Sequence, residues 1–374
     1  MNGIERSARP CIFDIRPYVP GKPIEEVQRE LGLTDVIKLA SNENPLGPAP
    51  RAVEALKAWA PVAHLYPDGA AFRLKERLAG LLGVGPENLV VGNGSDEIIK
   101  FLAEAFLNPG DEIVMADPTF SEYEFAALLM GARVRKVPLK ENRHDLDAMA
   151  AAVTSRTKLV FLCNPNNPTG TTVPASAVEA FMAAVPPEVV VVFDQAYQEY
   201  VDEPAYADGL TYVKAGRRCI VLRTFSKIYG LAGLRIGYGV APAGLLRVVE
   251  RAREPFNVNQ AAQVAALAAL GDQEFVRRSR SLNLSERARL TAELERRGLS
   301  VIPSQANFVF TATGVDSVRL FKDLLRRGVI VRTGDIFGRP DHLRVTVGTP
   351  EQNDRFLAAL DGVLASTREG GEAR

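Results

Sequence analysis

Amphipathic helical stretches alternate with short apolar runs from about residue 50 to residue 240. Apolar residues recur at helical spacing over 51–59, 71–82, 96–107, 121–130, 145–153 and 174–184. Between them lie short runs of aliphatic and aromatic residues at 89–91, 113–115, 158–163, 189–193 and 220–222. Runs this apolar suit strands that are buried on both faces. The pattern therefore predicts an α/β fold with a mostly parallel central sheet covered by helices.

The pattern changes on either side of this region. Beyond residue 242 it predicts three helices, followed by a smaller α+β layer with short strands near 299–302, 307–310, 329–331 and 342–347. Before it, a proline-rich stretch over 1–23 predicts an extended arm, followed by a short amphipathic helix that ends at Gly32. We expect an arm over 1–44 that joins the small domain, a large domain over 45–268 and a small domain over 269–374.

Composition narrows the class of protein. Forty-five basic residues balance 45 acidic ones, so no net charge attracts nucleic acid or a membrane surface. No apolar run reaches membrane-spanning length, and the charged N-terminus does not resemble a signal peptide. Three widely spaced cysteines argue against a disulfide framework and favour the cytoplasm, and three scattered histidines make a zinc site unexpected. We expect no metal.

The most distinctive chemistry lies in the segment CIVLRTFSKIYGLAGLRIGYGV at 219–240. Lys227 follows an apolar run and stands among small and apolar residues, with no carboxylate in the segment. Such surroundings lower the pKa of a lysine, because they solvate its ammonium form poorly. A neutral amine is what a Schiff base with a carbonyl cofactor requires. A surface lysine beside a glycine loop is the alternative.

Two further strands end in polar residues. Gly92 to Glu97, GNGSDE, follows one strand and opens a helix, which suits a phosphate; a tight turn capped by Asp96 is the equal alternative. Asp194 ends a predicted central strand, where a buried carboxylate needs a cation such as a protonated pyridine nitrogen. Tyr197 follows three residues later and could face the same ring. A helix N-cap is the alternative for Asp194.

Three more features favour a binding site. The turn NPNNPTG at 164–170 offers the amide of Asn167, and Phe120 follows another strand with a side chain that could stack on a flat ring. A structural turn and a core phenylalanine are the respective alternatives. Arg332 and Arg344 each lie in a β-run of the small domain, which modestly favours anion recognition over an edge position.

Together these motifs resemble the pyridoxal-phosphate aminotransferases of fold type I, and among them the histidinol-phosphate aminotransferases. The resemblance spans nearly the whole chain, and the lysine segment and NPNNPTG are its most specific parts. The other matching stretches are IRPY at 15–18, SNENPLGP at 41–48, LYPD at 65–68, GNGSDE at 92–97, REPFNVN at 253–259 and LRVTVG at 343–348. At position 120 this chain has Phe where many relatives have Tyr, so stacking survives but a hydroxyl contact is lost.

The resemblance implies a role for each matching residue. Lys227 would bind pyridoxal 5'-phosphate covalently, Asp194 would pair with its ring nitrogen, and Asn167 and Tyr197 would bond its phenolic oxygen. The residues expected to hold its phosphate are Gly94, Ser95, Asp96, Thr224, Ser226 and Arg235. Tyr66 would reach that phosphate from the neighbouring subunit of a homodimer. The residues expected to bind substrate are Tyr18, Asn44, Arg332 and Arg344.

The implied reaction is a ping-pong transamination in histidine biosynthesis. Histidinol phosphate would give up its amino group, and 2-oxoglutarate would accept it and leave as glutamate. An aromatic amino acid aminotransferase is the first alternative, since a phenyl ring resembles imidazole in shape. A pyridoxal-phosphate-dependent threonine-phosphate decarboxylase, which would share the cofactor site, is the second. A non-enzymatic regulator on the same fold is less favoured.

Overall fold

The computed structural model describes residues 3–17 and 21–371, with side chains described as far as residue 365. In these ranges the helices are α1 Ile24–Leu31, α2 Pro50–Trp59, α3 Phe72–Leu82, α4 Gly94–Phe106, α5 Glu122–Leu129, α6 Leu146–Ala151, α7 Ala175–Ala184, α8 Leu210–Lys214, α9 Ala243–Val249, α10 Gln260–Ala269, α11 Gln273–Arg296, α12 Ser317–Arg326 and α13 Pro350–Gly371. The strands are β1 Ile37–Lys38, β2 Leu89–Gly92, β3 Glu112–Asp117, β4 Arg133–Pro138, β5 Thr157–Cys163, β6 Val190–Asp194, β7 Cys219–Thr224, β8 Gly237–Val240, β9 Ser300–Ile302, β10 Phe308–Ala312, β11 Val329–Ile330, β12 Arg332–Thr333 and β13 His342–Thr346.

A seven-stranded sheet in the order β2-β8-β7-β6-β5-β3-β4 forms the centre of the molecule. Only β8 runs antiparallel to its neighbours, so the predicted α/β fold with a mostly parallel sheet is confirmed. Strand β6 lies in the middle and is buried along its whole length. One hydrophobic cluster packs on each face of the sheet, where a large apolar side chain stabilises the fold by about 1.5–3 kcal/mol.

Two strands of this sheet, β4 and β8, were not predicted from the pattern of apolar residues. Strand β4, with the sequence RVRKVP, lies at the edge, where most of its side chains are at least partly exposed and charged residues are tolerated. Strand β8 contains Gly237 and Gly239, and a Cβ atom at Gly239 would lie 2.9 Å from the side chain of Ile220. Neither strand shows an apolar run, because one is solvated and the other requires glycine for close packing.

A second, four-stranded antiparallel sheet in the order β12-β13-β10-β9 lies in the C-terminal part of the chain. It packs with α11, α12 and α13 around its own hydrophobic cluster, which also takes in Leu39. Helix α1 contributes Val27 to an adjoining cluster, and β1 pairs with β11 in parallel. One cluster of the large sheet also takes in Phe275 and Phe308 from beyond residue 268, so the two parts of the chain share packing. The division into a large domain over 45–268 and a small domain over 269–374, with the 1–44 arm joined to the latter, stays a prediction.

The beginning of the arm differs from the predicted extended conformation. Two short 3₁₀ helices cover Glu5–Ser7 and Pro10–Asp14. The guanidinium of Arg9 donates to the carbonyl oxygen of Leu129 at 2.6 Å, so this part contacts α5 beside the large sheet. Proline placed at the start of Pro10–Asp14 is compatible with a helical turn, since its ring fixes φ near the helical value.

Candidate active site

A cavity of about 350 Å³ opens where the carboxyl ends of the parallel strands meet the small domain. This is the edge at which ligands bind in open parallel sheets. Its lining takes in most of the residues that the sequence singled out: Gly94, Ser95, Asp96, Phe120, Asn167, Asp194, Tyr197, Thr224, Ser226, Lys227, Arg235, Arg332 and Arg344. Residues that are far apart in the chain converge here because their strands are parallel neighbours.

Lys227 lies in the turn after β7, with its amine in the cavity. Its Nζ donates to the carbonyl oxygen of Ser41 at 3.2 Å and lies 5.6 Å from the ring centroid of Tyr197. Burial and, to a smaller extent, the positive charge of Arg344 together lower the pKa of Lys227 to about 8. About a tenth of the Lys227 side chains therefore carry a neutral amine at pH 7, far more than for an ordinary lysine, as its apolar sequence neighbours predicted.

Asp194 ends the central strand β6 and is buried. Its Oδ2 accepts a hydrogen bond from the hydroxyl of Tyr123 at 2.6 Å, and its Oδ1 accepts one from the backbone of Ala196 at 3.2 Å. Burial raises the pKa of Asp194 to about 6, although the bond from Tyr123 opposes that effect. The residue does not cap a helix, since a short turn follows it and the next 3₁₀ helix begins at Gln198. A buried carboxylate with a raised pKa would gain stability from a cationic partner.

Tyr197 and Asn167 stand beside the lysine. Asn42 donates from Nδ2 to the hydroxyl oxygen of Tyr197 at 3.0 Å. Arg344 donates from one nitrogen to Oδ1 of Asn167 at 2.6 Å and from another to the carbonyl oxygen of Ala40 at 2.8 Å. Because its carbonyl oxygen is held by Arg344, the amide nitrogen of Asn167 is the end that can donate to a ligand.

A group of small and hydroxyl-bearing residues forms one end of the cavity at the start of α4. Gly94 has φ +75°, and a Cβ atom there would lie 2.9 Å from the guanidinium of Arg235. The guanidinium of Arg235 donates to Asp96 at 2.7 Å, so Asp96 forms an ion pair from the first turn of α4. Asp96 is therefore not the N-cap of this helix, which is Asn93. Backbone N–H groups at a helix start, hydroxyls and an arginine make an anion site.

The two arginines of the small domain face each other in register on β12 and β13. Arg344 is buried and its guanidinium carbon lies 5.4 Å from the ring centroids of both Phe308 and Phe337. Arg332 is partly exposed and also lines the cavity. Phe120 packs edge-on against Tyr123 with ring centroids 5.7 Å apart.

The structure does not bring Asn44 to this cavity. Its amide nitrogen donates to the carbonyl oxygen of Ile228 at 2.8 Å and to the hydroxyl of Ser279 at 2.9 Å, which fixes the turn. Asn42, two residues earlier, lines the cavity in its place. Both lie in the SNENP stretch, and the sequence carries no signal that distinguishes them before the backbone path is known.

Another predicted residue lies elsewhere, and one cannot be located in the described part of the chain. Tyr66 is 85% exposed on the surface and stacks on Phe256 with ring centroids 5.1 Å apart, outside the cavity of its own chain. Tyr18 lies outside the described residues and stays a prediction. The sequence did not predict two residues of the site. Tyr123 contacts Asp194 from a helix whose pattern gives no sign of that contact. Ile336 lines the cavity from the turn between β12 and β13.

Two negative findings bear on the site. Among the described residues, no cluster of histidine, cysteine, aspartate and glutamate side chains is arranged to hold a metal ion. No helix in the described part of the chain combines the length and apolar character needed to cross a membrane. All three cysteines are free.

A half-buried lysine, a buried aspartate and an anion site around one cavity at the sheet edge are the groups that a pyridoxal-phosphate enzyme of fold type I requires. The chain belongs to the aminotransferase class I and II family, whose model matches residues 34–360. It is 60% identical to a histidinol-phosphate aminotransferase of Moorella thermoacetica, over 96% of this chain and 93% of the relative. It is 52% identical to histidinol-phosphate aminotransferase 2 of Carboxydothermus hydrogenoformans, over 95% and 99%.

A solved structure supports the same family. The histidinol-phosphate aminotransferase of Sinorhizobium meliloti, in complex with pyridoxal-5'-phosphate, matches with a TM-score of 0.87 at 29% identity. The match covers 96% of this chain and 97% of that one. Aspartate aminotransferase from Thermus thermophilus with maleate matches with a TM-score of 0.79 at 25% identity, over 95% and 98%.

Proposed function

We propose that this protein is a histidinol-phosphate aminotransferase that uses pyridoxal 5'-phosphate and passes the amino group to 2-oxoglutarate. The products would be imidazole-acetol phosphate and glutamate. Near-full-length similarity to relatives of that name supports the proposal. The observation that carries it is the pair formed by Lys227 and Asp194, a half-buried amine and a buried carboxylate that line one cavity.

The residues of the cavity fit the cofactor. Asp194 would pair with the protonated ring nitrogen, which supplies the cation that its buried carboxylate otherwise lacks. Tyr197 and the amide of Asn167 would donate to the phenolic oxygen. The phosphate would lie against the residues at the start of α4 together with Thr224, Ser226 and Arg235. When bound, pyridoxal phosphate supplies an electron sink for bonds broken at the substrate's α-carbon.

Lys227 would act first as the anchor and then as the base. Because its pKa is about 8, part of the amine is neutral at neutral pH and can bind an aldehyde carbon without a strongly alkaline pH. Once the substrate amine has displaced it, the freed amine can accept the proton of the substrate's α-carbon. Its hydrogen bond to the carbonyl oxygen of Ser41 holds the amine in the cavity, in reach of both tasks.

Arg332 and Arg344 would bind the anionic groups of the two substrates in turn. Arg344 is held by Asn167 and by the carbonyl oxygen of Ala40, and it lies near two aromatic rings, so its guanidinium is fixed in orientation. A fixed guanidinium suits the two oxygens of a carboxylate, and Arg332, its half-buried register partner on β12, lines the same cavity. Tyr18 is proposed to assist on the strength of the family resemblance.

A homodimer would complete the site. Tyr66 is exposed and stacks on the exposed Phe256, and the exposed Leu65 precedes it in the chain; an exposed apolar patch is typical of a subunit interface. We propose that Tyr66 reaches the phosphate of the neighbouring subunit. The free cysteines agree with the proposed cytoplasmic location.

Absorbance and kinetics test the proposed function. The purified protein reconstituted with pyridoxal phosphate should show a visible band, which histidinol phosphate bleaches and 2-oxoglutarate restores. Lys227→Ala should abolish both the band and turnover. Lys75→Ala is the matched control, since burial also lowers the pKa of Lys75 but its amine lies 3.7 Å from Glu250, outside the cavity.

The substrate follows from a comparison of kcat/KM. A higher value for histidinol phosphate than for phenylalanine is expected, and the reverse would indicate an aromatic aminotransferase. Release of CO₂ without an oxo-acid acceptor would indicate a decarboxylase. A reconstituted protein with no visible band would refute the proposal for the whole class.

A further inference from the structure

Four consecutive residues before α2 connect the small domain to the catalytic groups. The carbonyl oxygen of Leu39 accepts from the backbone of Thr346 at 2.9 Å. The next two carbonyl oxygens accept from Arg344 and from Lys227, as described above. Residues 39–42 therefore join β13 on one side to the cavity lysine on the other, and Asn42 is the last of them.

Asn42 occupies a position that few side chains tolerate. It is 1% exposed and has φ +57°, in the left-handed region that favours glycine and, after it, asparagine. Its carbonyl oxygen accepts from the amide of Asn307 at 2.9 Å, which fixes the backbone in this conformation. Strained buried positions of this kind concentrate at functional sites, so the side chain of Asn42 is a candidate for a function beyond packing.

The hydrogen bonds also fix which end of the Asn42 amide faces Tyr197. The backbone N–H of Asn42 donates to the hydroxyl oxygen of Thr346 at 2.9 Å, so the Thr346 hydroxyl keeps its own proton for Oδ1 of Asn42, 3.2 Å away. Since Oδ1 is matched to a donor, Nδ2 is the end that lies 3.0 Å from the hydroxyl oxygen of Tyr197. An amide nitrogen can only donate, so the Tyr197 oxygen accepts.

This arrangement leaves the single proton of the Tyr197 hydroxyl to be donated elsewhere. We infer that Asn42 is a positioning residue that directs the Tyr197 proton towards the phenolic oxygen of the bound cofactor. The inference rests on the proposed function, since it requires pyridoxal phosphate in the cavity. Asn42 acts through Tyr197 and needs no contact of its own with the cofactor.

The direction in which the apparent pKa of the visible band should move follows from the negative charge on the phenolic oxygen. A hydrogen bond from Tyr197 stabilises negative charge on the phenolic oxygen, so the proton held at the junction between the cofactor and Lys227 is bound less tightly. Loss of that bond should raise the apparent pKa at which the visible band changes. Complete loss of one hydrogen bond to a charged oxygen corresponds to a rise of about 1 to 2 in that apparent pKa.

The test is an absorbance titration of the holoenzyme between pH 5 and 10 as a double-mutant cycle. Asn42→Gly removes the amide and keeps a residue that tolerates positive φ, whereas alanine would add strain. Asn42→Asp keeps the shape but turns the donor into an acceptor for the Tyr197 proton. Each is measured alone and together with Tyr197→Phe, and thermal unfolding shows which variants are folded. If Asn42→Gly does not fold, Asn42→Asp provides the cycle.

The expected result is a raised apparent pKa for both Asn42 variants, and for Asn42→Gly no further change when the Tyr197 hydroxyl is already absent. The negative charge of Asn42→Asp raises the pKa in either background, but more when the hydroxyl is present. An unmoved pKa, or an equal rise in the Tyr197→Phe background, would overturn the inference. Neither of these two outcomes would contradict the proposed function. A wild-type protein with no titrating band would overturn the proposed function, and this inference with it.

Discussion

The contact between Tyr123 and Asp194 yields the sharpest quantitative prediction about the site. Tyr123 is completely buried in α5, and its ring stacks on Phe161 with centroids 4.4 Å apart. Its hydroxyl donates to Asp194 Oδ2 at 2.6 Å, a short bond to an ionised acceptor. Tyr123→Phe removes the oxygen and leaves the ring in place, so it removes this bond together with the contact of the same hydroxyl with the Cys163 thiol.

The size of the effect follows from the hydrogen bond. A hydrogen bond to a charged group contributes about 1.5–3 kcal/mol, which corresponds to about 1 to 2 in the pKa of the acceptor. Burial already raises the pKa of Asp194 to about 6, and the Tyr123 bond is the largest influence that opposes it. Its loss should move the pKa of Asp194 to about 7–8, so that much of the carboxylate is protonated at neutral pH.

The assay is the affinity of the cofactor-free protein for pyridoxal phosphate as a function of pH. Since the ionised carboxylate binds the ring nitrogen, affinity of the wild type should rise as the pH passes about 6. Tyr123→Phe should shift that rise upwards and weaken binding about two- to tenfold at pH 7, from the smaller ionised fraction. Lys227 titrates near pH 8 in both proteins, so the ratio of affinities isolates Asp194.

Tyr212→Phe is the matched control. Tyr212 is also a buried tyrosine, and it stacks on Phe193 with centroids 5.6 Å apart on α8. It should leave the pH dependence of binding as in the wild type. If Tyr123→Phe showed the same pH profile as the wild type, the assignment of the Asp194 carboxylate to the ring nitrogen would be refuted.

Three other predictions follow from the structure. The hydrogen-bond partners of Glu112 lower its pKa from 4.5 to about 2, so Glu112→Gln should lower the free energy of unfolding at pH 7 by about 2 kcal/mol, after allowance for the half-exposed Arg135 and Arg156. In urea melts the difference between wild type and variant should shrink as the pH falls from 4.5 towards 2, and a difference that does not change with pH would contradict this. Gly94→Ala at φ +75° should weaken cofactor binding about tenfold, through strain and contact with Arg235; unchanged binding in a fluorescence titration would refute it. Tyr66→Ala should loosen the cofactor, and mixing it with Lys227→Ala should restore at most one intact site per hybrid dimer; independence of the two sites in that mixture would exclude sharing.

The sequence predicted the features that depend on local chemistry. Apolar runs identified β2, β3, β5, β6 and β7, because a strand buried on both faces must be apolar throughout. Lys227 was recognised by its apolar neighbours and Asp194 by its place at a strand end, and the structure locates both in one cavity. The edge strand β4 and the glycine-rich β8 were missed, since neither has such a run.

Contacts between distant segments were decided only by the tertiary structure. The sequence offers no reason to choose between Asn42 and Asn44, which lie in the same turn. The left-handed backbone at Asn42 directs its amide to Tyr197, whereas the amide of Asn44 stabilises the turn. Tyr123 lies 71 positions before Asp194, and nothing in its helix reveals that contact. Local pattern fixes which residues are buried, whereas the path of the backbone through the parallel sheet decides which buried polar groups meet.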